Sequence, residues 1–297
     1  MARPVGRAGL RGGFPLSKIT KSKITKLSAA FIVAGSTASA GCDLDPDPCE
    51  VALGTYHISL PGSGFGPFPA IMFLHGAGGS GNGATRPGSM ADTANARGYA
   101  VIAPDGLQRE NTNFGPGWSF HPDRPKQRDE LAFFQQVADD AAARFGIDRD
   151  QIILGGFSIG GSMASYIACQ DPTAFAAYAP VGGSFWRPHP TDCNGPVQLL
   201  HTHGWKDKTV PLEGRPLGGG TILQGDVWHA MGIWRAENGC DGLRADSFDT
   251  SGDFWVRRWD DCDYGTALEF LLHPGGHGIP RGWSTYTLDW FEGLQAE

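Results

Sequence analysis

The chain has 297 residues, 40% of them hydrophobic, with 24 Lys and Arg against 31 Asp and Glu and a formal charge of −7. Seven of the cations fall in the first 26 residues, so the part beyond them stands at about −14. A surface that acidic repels phosphate backbones, which excludes nucleic acid as a partner.

In chain order, residues 1–41 read first as a targeting segment. Arg3, Arg7, Arg11, Lys18, Lys21, Lys23 and Lys26 form a basic stretch with no acid. A short apolar run, residues 27–35, and the small-residue site Ala38-Ser39-Ala40 follow, which predicts a cleaved secretory signal and an extracellular protein. Its length predicts a true start downstream of Met1. Cys42, directly after "SAG", also fits a lipid-anchor site, although Ser39 stands where such sites usually carry Leu. Residues 42–54 are an acidic, Pro-rich leader, and 55–297 are expected to form one catalytic domain with no transmembrane segment.

Six cysteines, at 42, 49, 169, 193, 240 and 262, lie beyond the cleavage site, as expected for disulfides in an exported protein. Fifteen pairings are open; nearest neighbours (Cys42–Cys49, Cys169–Cys193, Cys240–Cys262) are the simplest. None has the C-x-x-C spacing of a zinc ribbon or a redox site.

Short apolar runs at 55–60, 69–76, 99–106, 151–156, 175–183, 197–204 and 267–278 predict strands. Several lack polar alternation, as strands covered on both faces do. Helical patterns at 86–97, 126–145, 160–170, 226–238 and 282–294 separate them, and Gly146 marks one stop. The alternation predicts an α/β fold: a mostly parallel open sheet with helices on both faces and no large cap domain. Residues 212–225 read as a Gly-rich surface loop. Chemistry in such a sheet gathers at the carboxyl ends of the strands.

"GGFSIGG" closes the 151–156 strand and opens a small-residue helix. With 44 glycines in the chain, a G-x-S-x-G pattern alone carries little weight; the strand–turn–helix context is what marks Ser158 as a nucleophile. A serine hydroxyl needs a base, and the base an orienting acid. His277 follows the last strand and Asp207 the one before it, giving the order Ser–Asp–His used by α/β-hydrolases. His273 and Asp105 are the runners-up. The turn "HGAGG" after residues 69–74 offers Ala77, with Ile159, as amide donors to an oxyanion. Trp118, Trp186 and Trp205 are candidate walls of an open cleft for bulky or polymer-borne esters. Neither metal nor cofactor is required by this chemistry.

The ordered motifs "LHGAGG", "PDG", "GFSIGG", "HTHGWKDKTVP", "NGC" and "GGHGIP" resemble the secreted polyhydroxybutyrate depolymerase and feruloyl esterase-like family of α/β-hydrolases, over residues 54–295. Family members carry Asn after the serine and W-P after the final histidine, where this chain has Ile159 and Ile279-Pro280. The resemblance implies a serine esterase with Ser158, Asp207 and His277 as its triad, a Cys240–Cys262 disulfide, and a hydroxyalkanoate or feruloyl ester as substrate. An acetylxylan or small-ester esterase on the same triad is the alternative. A metallohydrolase built on His201-Thr202-His203 would need Asp and His at 205 and 206, which are Trp205 and Lys206. A non-catalytic binding module built on the nine tryptophans has no need of a triad.

Overall fold

A computed structural model describes residue 42 and residues 47–108 and 115–295. The predicted signal, residues 1–41, and most of the acidic leader lie outside the described residues.

Ten strands form the main sheet: β1 (Cys49–Val51), β2 (Gly54–Ser59), β3 (Phe68–Leu74), β4 (Ala100–Pro104), β5 (Ile147–Phe157), β6 (Ala177–Val181), β7 (Leu199–Gly204), β8 (Ser247–Asp249), β9 (Trp255–Trp259) and β10 (Leu268–His273). Their order is β1-β2-β4-β3-β5-β6-β7-β10-β9-β8. The six from β4 to β10 run parallel, and antiparallel strands close both edges.

Side chains that alternate along a strand point to opposite faces. Ala70, Met72 and Leu74 therefore join one core with helices α3 (Glu130–Phe145), α4 (Ile159–Gln170) and α5 (Val227–Glu237). Ile71 and Phe73 join the other, with α2 (Met90–Ala96) and α6 (Trp283–Gln295). Because both faces are covered, β4, β6, β7 and β10 are buried at every position. This is the physical source of the unbroken apolar runs in the sequence.

The helix limits follow local chemistry. Asp129 caps α3 through the Ala132 amide, and Gly146 ends it in a left-handed conformation at φ 66°. The helix predicted over 86–97 begins only at Met90, because Pro87-Gly88 interrupts it; Asn82–Thr85 (α1) forms a separate turn. The 212–225 segment is not a plain loop. Its strands Pro216–Leu217 and Ile222–Gln224 form a small sheet with Trp186–Arg187.

Disulfides join Cys42 to Cys49, Cys169 to Cys193 and Cys240 to Cys262, and no cysteine is free. The Cys42 sulfur is bound to that of Cys49 in this pairing. Among the described residues no helix is long and apolar enough to cross a membrane.

Candidate active site

Ser158 stands between β5 and α4 at φ 57° and ψ −120°, a conformation that L-residues rarely hold. Its amide donates to the Val181 carbonyl at 2.8 Å, which fixes the turn on β6. The two flanking glycines are required by contact. A Cβ on Gly156 would lie 2.4 Å from the Gly160 carbonyl oxygen, and one on Gly160 2.2 Å from that of Leu74. Such an elbow projects Oγ beyond the carboxyl edge of the sheet.

His277 arrives from the turn after β10. Its Nε2 lies 2.9 Å from Ser158 Oγ and its Nδ1 2.6 Å from Asp207 Oδ2. The Phe157 ring packs on the imidazole at 4.7 Å between centroids. Asp207, buried after β7, accepts the Thr209 and Val210 amides through Oδ1, both at 2.8 Å. Burial pushes the Asp207 carboxyl up, but the hydrogen bonds from His277 and Val210 outweigh it and hold the group below the usual carboxylate range. The carboxylate is therefore an acceptor, so Nδ1 carries the imidazole proton and Nε2 is free to accept from Ser158.

Sequence reasoning missed His203. It is fully buried on β7, donates from Nε2 to the Val210 carbonyl at 2.8 Å, and lies 3.7 Å from Asp207 Oδ2. It thus grips from behind the same turn that holds Asp207. Its Nδ1 faces His201 Nε2 at 3.3 Å, while His201 Nδ1 is buried with no partner among the described residues. Of the two rings only that of His203 has a backbone partner among the described residues. Burial lowers the basicity of both, so both are neutral.

The "HGAGG" turn lies against the elbow, since a Cβ on Gly76 would stand 3.4 Å from that of Ser158. His75 shapes it. Its Nδ1–H donates to the Gly76 carbonyl at 2.7 Å, and its Nε2 accepts the Gly106 amide at 2.9 Å. The Gly78 amide is taken by Pro116 and that of Gly79 by Gly76. Ala77 is exposed at the turn, and the Ile159 amide is the first of α4, where no helical acceptor precedes it.

Residues 67–217 match the phospholipase/carboxylesterase family. The chain belongs to that family. NocK of Nocardia uniformis subsp. tsuyamanensis, which carries the name of an esterase, is 31% identical over 49% of this chain. That match spans only 42% of NocK. A probable feruloyl esterase C of Aspergillus niger is 24% identical over 86% of this chain and 89% of its own length. Among solved structures, the acetyl xylan esterase from Aspergillus awamori aligns over 81% of this chain and 94% of its own, at TM-score 0.59 and 16% identity. That likeness is one of fold, the α/β-hydrolase fold. Membership of that family makes this chain a carboxylic-ester hydrolase.

Within this carboxylesterase the runners-up stand apart. The His273 ring accepts only the Gly275 amide among the described residues. Asp105 binds Thr55 and the Gly81 amide and faces His57 at 3.4 Å, and so fastens the first loop rather than the base. Trp118 is a correction. It is buried, donates from Nε1 to the His75 carbonyl at 2.9 Å and packs under the His75 ring at 4.9 Å, so it supports the turn and walls no cleft. Beneath it the buried Arg128–Glu130 pair ties Ser119 to the Leu53 and Asp105 carbonyls. Trp186 is half-buried, donates to Ser162 Oγ one turn along α4 from Ser158, and packs on Phe120. Trp205 is 52% exposed and meets Trp255 edge-on at 5.9 Å, beside Asp207. Among the described residues no group of three His, Cys, Asp or Glu side chains is placed to hold a metal ion.

Proposed function

We propose that this hydrolase works through an acyl-enzyme on Ser158, with His277 as general base and acid and Asp207 as the group that fixes its tautomer. The single observation that carries the reading is the continuous chain of hydrogen bonds from Ser158 Oγ through His277 to Asp207, at 2.9 and 2.6 Å. As Oγ attacks the ester carbonyl carbon, its proton passes to His277 Nε2. The new imidazolium is stabilised by the Asp207 carboxylate. The amides of Ala77 and Ile159 receive the oxyanion, the second at the positive end of α4. Collapse breaks the C–O bond, and the alcohol leaves with the proton from Nε2. Water, deprotonated by the same nitrogen, then attacks the acyl carbon and frees the acid and Ser158.

The substrate class we infer is a bulky or polymer-borne ester, of hydroxyalkanoate-oligomer or feruloyl type, with Trp186 and Trp205 as apolar contacts beside the triad. Residues 1–41 are taken as an export signal, 42–54 as a leader and 55–297 as the catalytic domain. The three disulfides support an oxidising destination.

The test is direct. Ser158→Ala abolishes turnover and labelling by a serine-directed phosphonate while the protein stays folded. Asp207→Asn lowers kcat by about 10⁴, as loss of the correct tautomer does in other triads. Near-normal activity in Ser158→Ala overturns the reading. A panel of hydroxybutyrate oligomers, feruloyl esters and acetylated xylan ranks the substrates, and a clear lead for acetyl groups rejects the bulky class.

A further inference from the structure

A cavity of about 960 Å³ opens beside the proposed oxyanion turn. His75, Gly76 and Gly79 line it together with Phe157, which also packs on the His277 ring. Phe73 and Trp283, packed edge-to-face at 5.5 Å, form an apolar floor. Polar side chains line it too, and the charged ones are cationic. Arg86 and Arg281, distant in sequence, both line it, and among the described residues its lining holds no aspartate or glutamate. In a chain with 31 acidic residues against 24 basic ones, that local sign is the reverse of the whole.

Neither arginine is tied to a carboxylate, a state that Arg187 and Arg257 share among the described residues. Arg97, Arg128, Arg149 and Arg258 each bind a carboxylate. Among the described residues Arg86 and Arg281 have no such partner, and both are exposed. Arg281 also lines a neighbouring cavity that contains Asp253, without pairing to it. An unpaired guanidinium offers five donors in a planar fork that matches a carboxylate, and it keeps its charge at any working pH.

The geometry points to a subsite for a carboxylate on the ester substrate, held by Arg86 and Arg281 in this cavity while the apolar part of the same substrate lies on Phe73 and Phe157. The inference rests on the catalytic reading above and narrows its substrate to esters that carry a free carboxylate some atoms from the scissile bond. A hydroxyalkanoate oligomer, with its terminal acid, belongs to that class; a simple acetyl ester has no carboxylate to offer.

Two matched pairs test it, one for each side of the ester bond. p-Nitrophenyl hemiglutarate is compared with p-nitrophenyl valerate, and 4-butyryloxybenzoate with 4-butyryloxybenzamide. The readout is the charged-to-neutral ratio of kcat/KM, corrected for intrinsic hydrolysis rates. In at least one pair the native enzyme favours the charged member, and 0.5 M salt reduces the preference. The double variant R86Q/R281Q lowers that ratio about tenfold, the scale of one charge-assisted contact. R86E/R281E inverts the preference. A ratio that the double variant leaves unchanged in both pairs, or a uniform loss on both members, overturns the subsite. Failure of the native enzyme on the neutral esters, with no phosphonate labelling of Ser158, instead overturns the catalytic reading on which the subsite depends.

Discussion

Asp207 is held at each oxygen by a different part of the chain. Oδ2 faces His277, and Oδ1 takes two amides of its own turn, whose Val210 carbonyl is in turn bound by His203. His203 touches no reacting atom and acts on the triad only by positioning. His203→Leu removes the donor to a buried carbonyl, a loss worth about 1–3 kcal/mol. The expected result is a lower melting temperature and a kcat reduced about tenfold with KM little changed, a smaller loss than that of Asp207→Asn. Steady-state kinetics separate the cases: an effect confined to stability means that His203 only packs.

At the scale of the element, the β5–α4 turn is dictated by contact with its neighbours rather than by helix propensity. Gly160 is the second residue of α4, yet its α-hydrogen faces the Leu74 carbonyl so closely that a methyl group would stand 2.2 Å away. Gly232, in the middle of α5, has no atom within 4 Å of the same position. The same substitution therefore has opposite signs at the two sites. Gly160→Ala costs about 1–3 kcal/mol through overpacking and displaces Ser158, so activity falls with stability. Gly232→Ala gains about 0.5–1 kcal/mol from the helix propensity of alanine, with activity unchanged. Thermal melts of the two variants, measured beside esterase rates, decide it, and destabilisation at both sites would contradict the contact argument.

Across the whole molecule, buried histidines set how stability depends on pH. Burial lowers the basicity of His75, His201, His203 and His273, so all four are neutral in the fold. In the unfolded chain each regains a value of about 6.5. Below that pH the unfolded state binds protons that the native state does not. The contribution is complete above about pH 6.5 and is lost as pH falls, by up to about 1.4 kcal/mol per pH unit for each such proton. Asp105 and Asp207, both held low, add a further loss in the carboxylate range, while Glu130 and Glu269, raised by burial, oppose it there. Urea melts should show stability falling steadily from pH 7 to pH 5, and a flat profile over that interval would mean that the histidines are accessible to protons in the native state.

The sequence by itself determined the alternation of strands and helices, the helix stop at Gly146 and the three polar residues that meet at the sheet edge. Each rests on information carried within a dozen residues: apolar runs, a turn glycine, a polar residue just past a strand. The short strand Trp255–Trp259 escaped notice because its two central arginines break the apolar run, and only its pairing with β10 and β8 makes it a strand. Trp118 read as a cleft wall because an aromatic residue in a Gly-rich loop has the same local signature whether it faces solvent or core. Tertiary structure placed it beneath His75, where its N–H finds a carbonyl. His203 as a brace, Trp186 beside Ser162, and Arg86 facing the same cavity as Arg281 were likewise decided only by packing. Their partners are separated by 7, 24 and 195 positions, and apart from the first no local periodicity reaches that far. Chain-local chemistry writes the elements and marks their ends; which side chains share a space is settled by how the two faces of the sheet are covered.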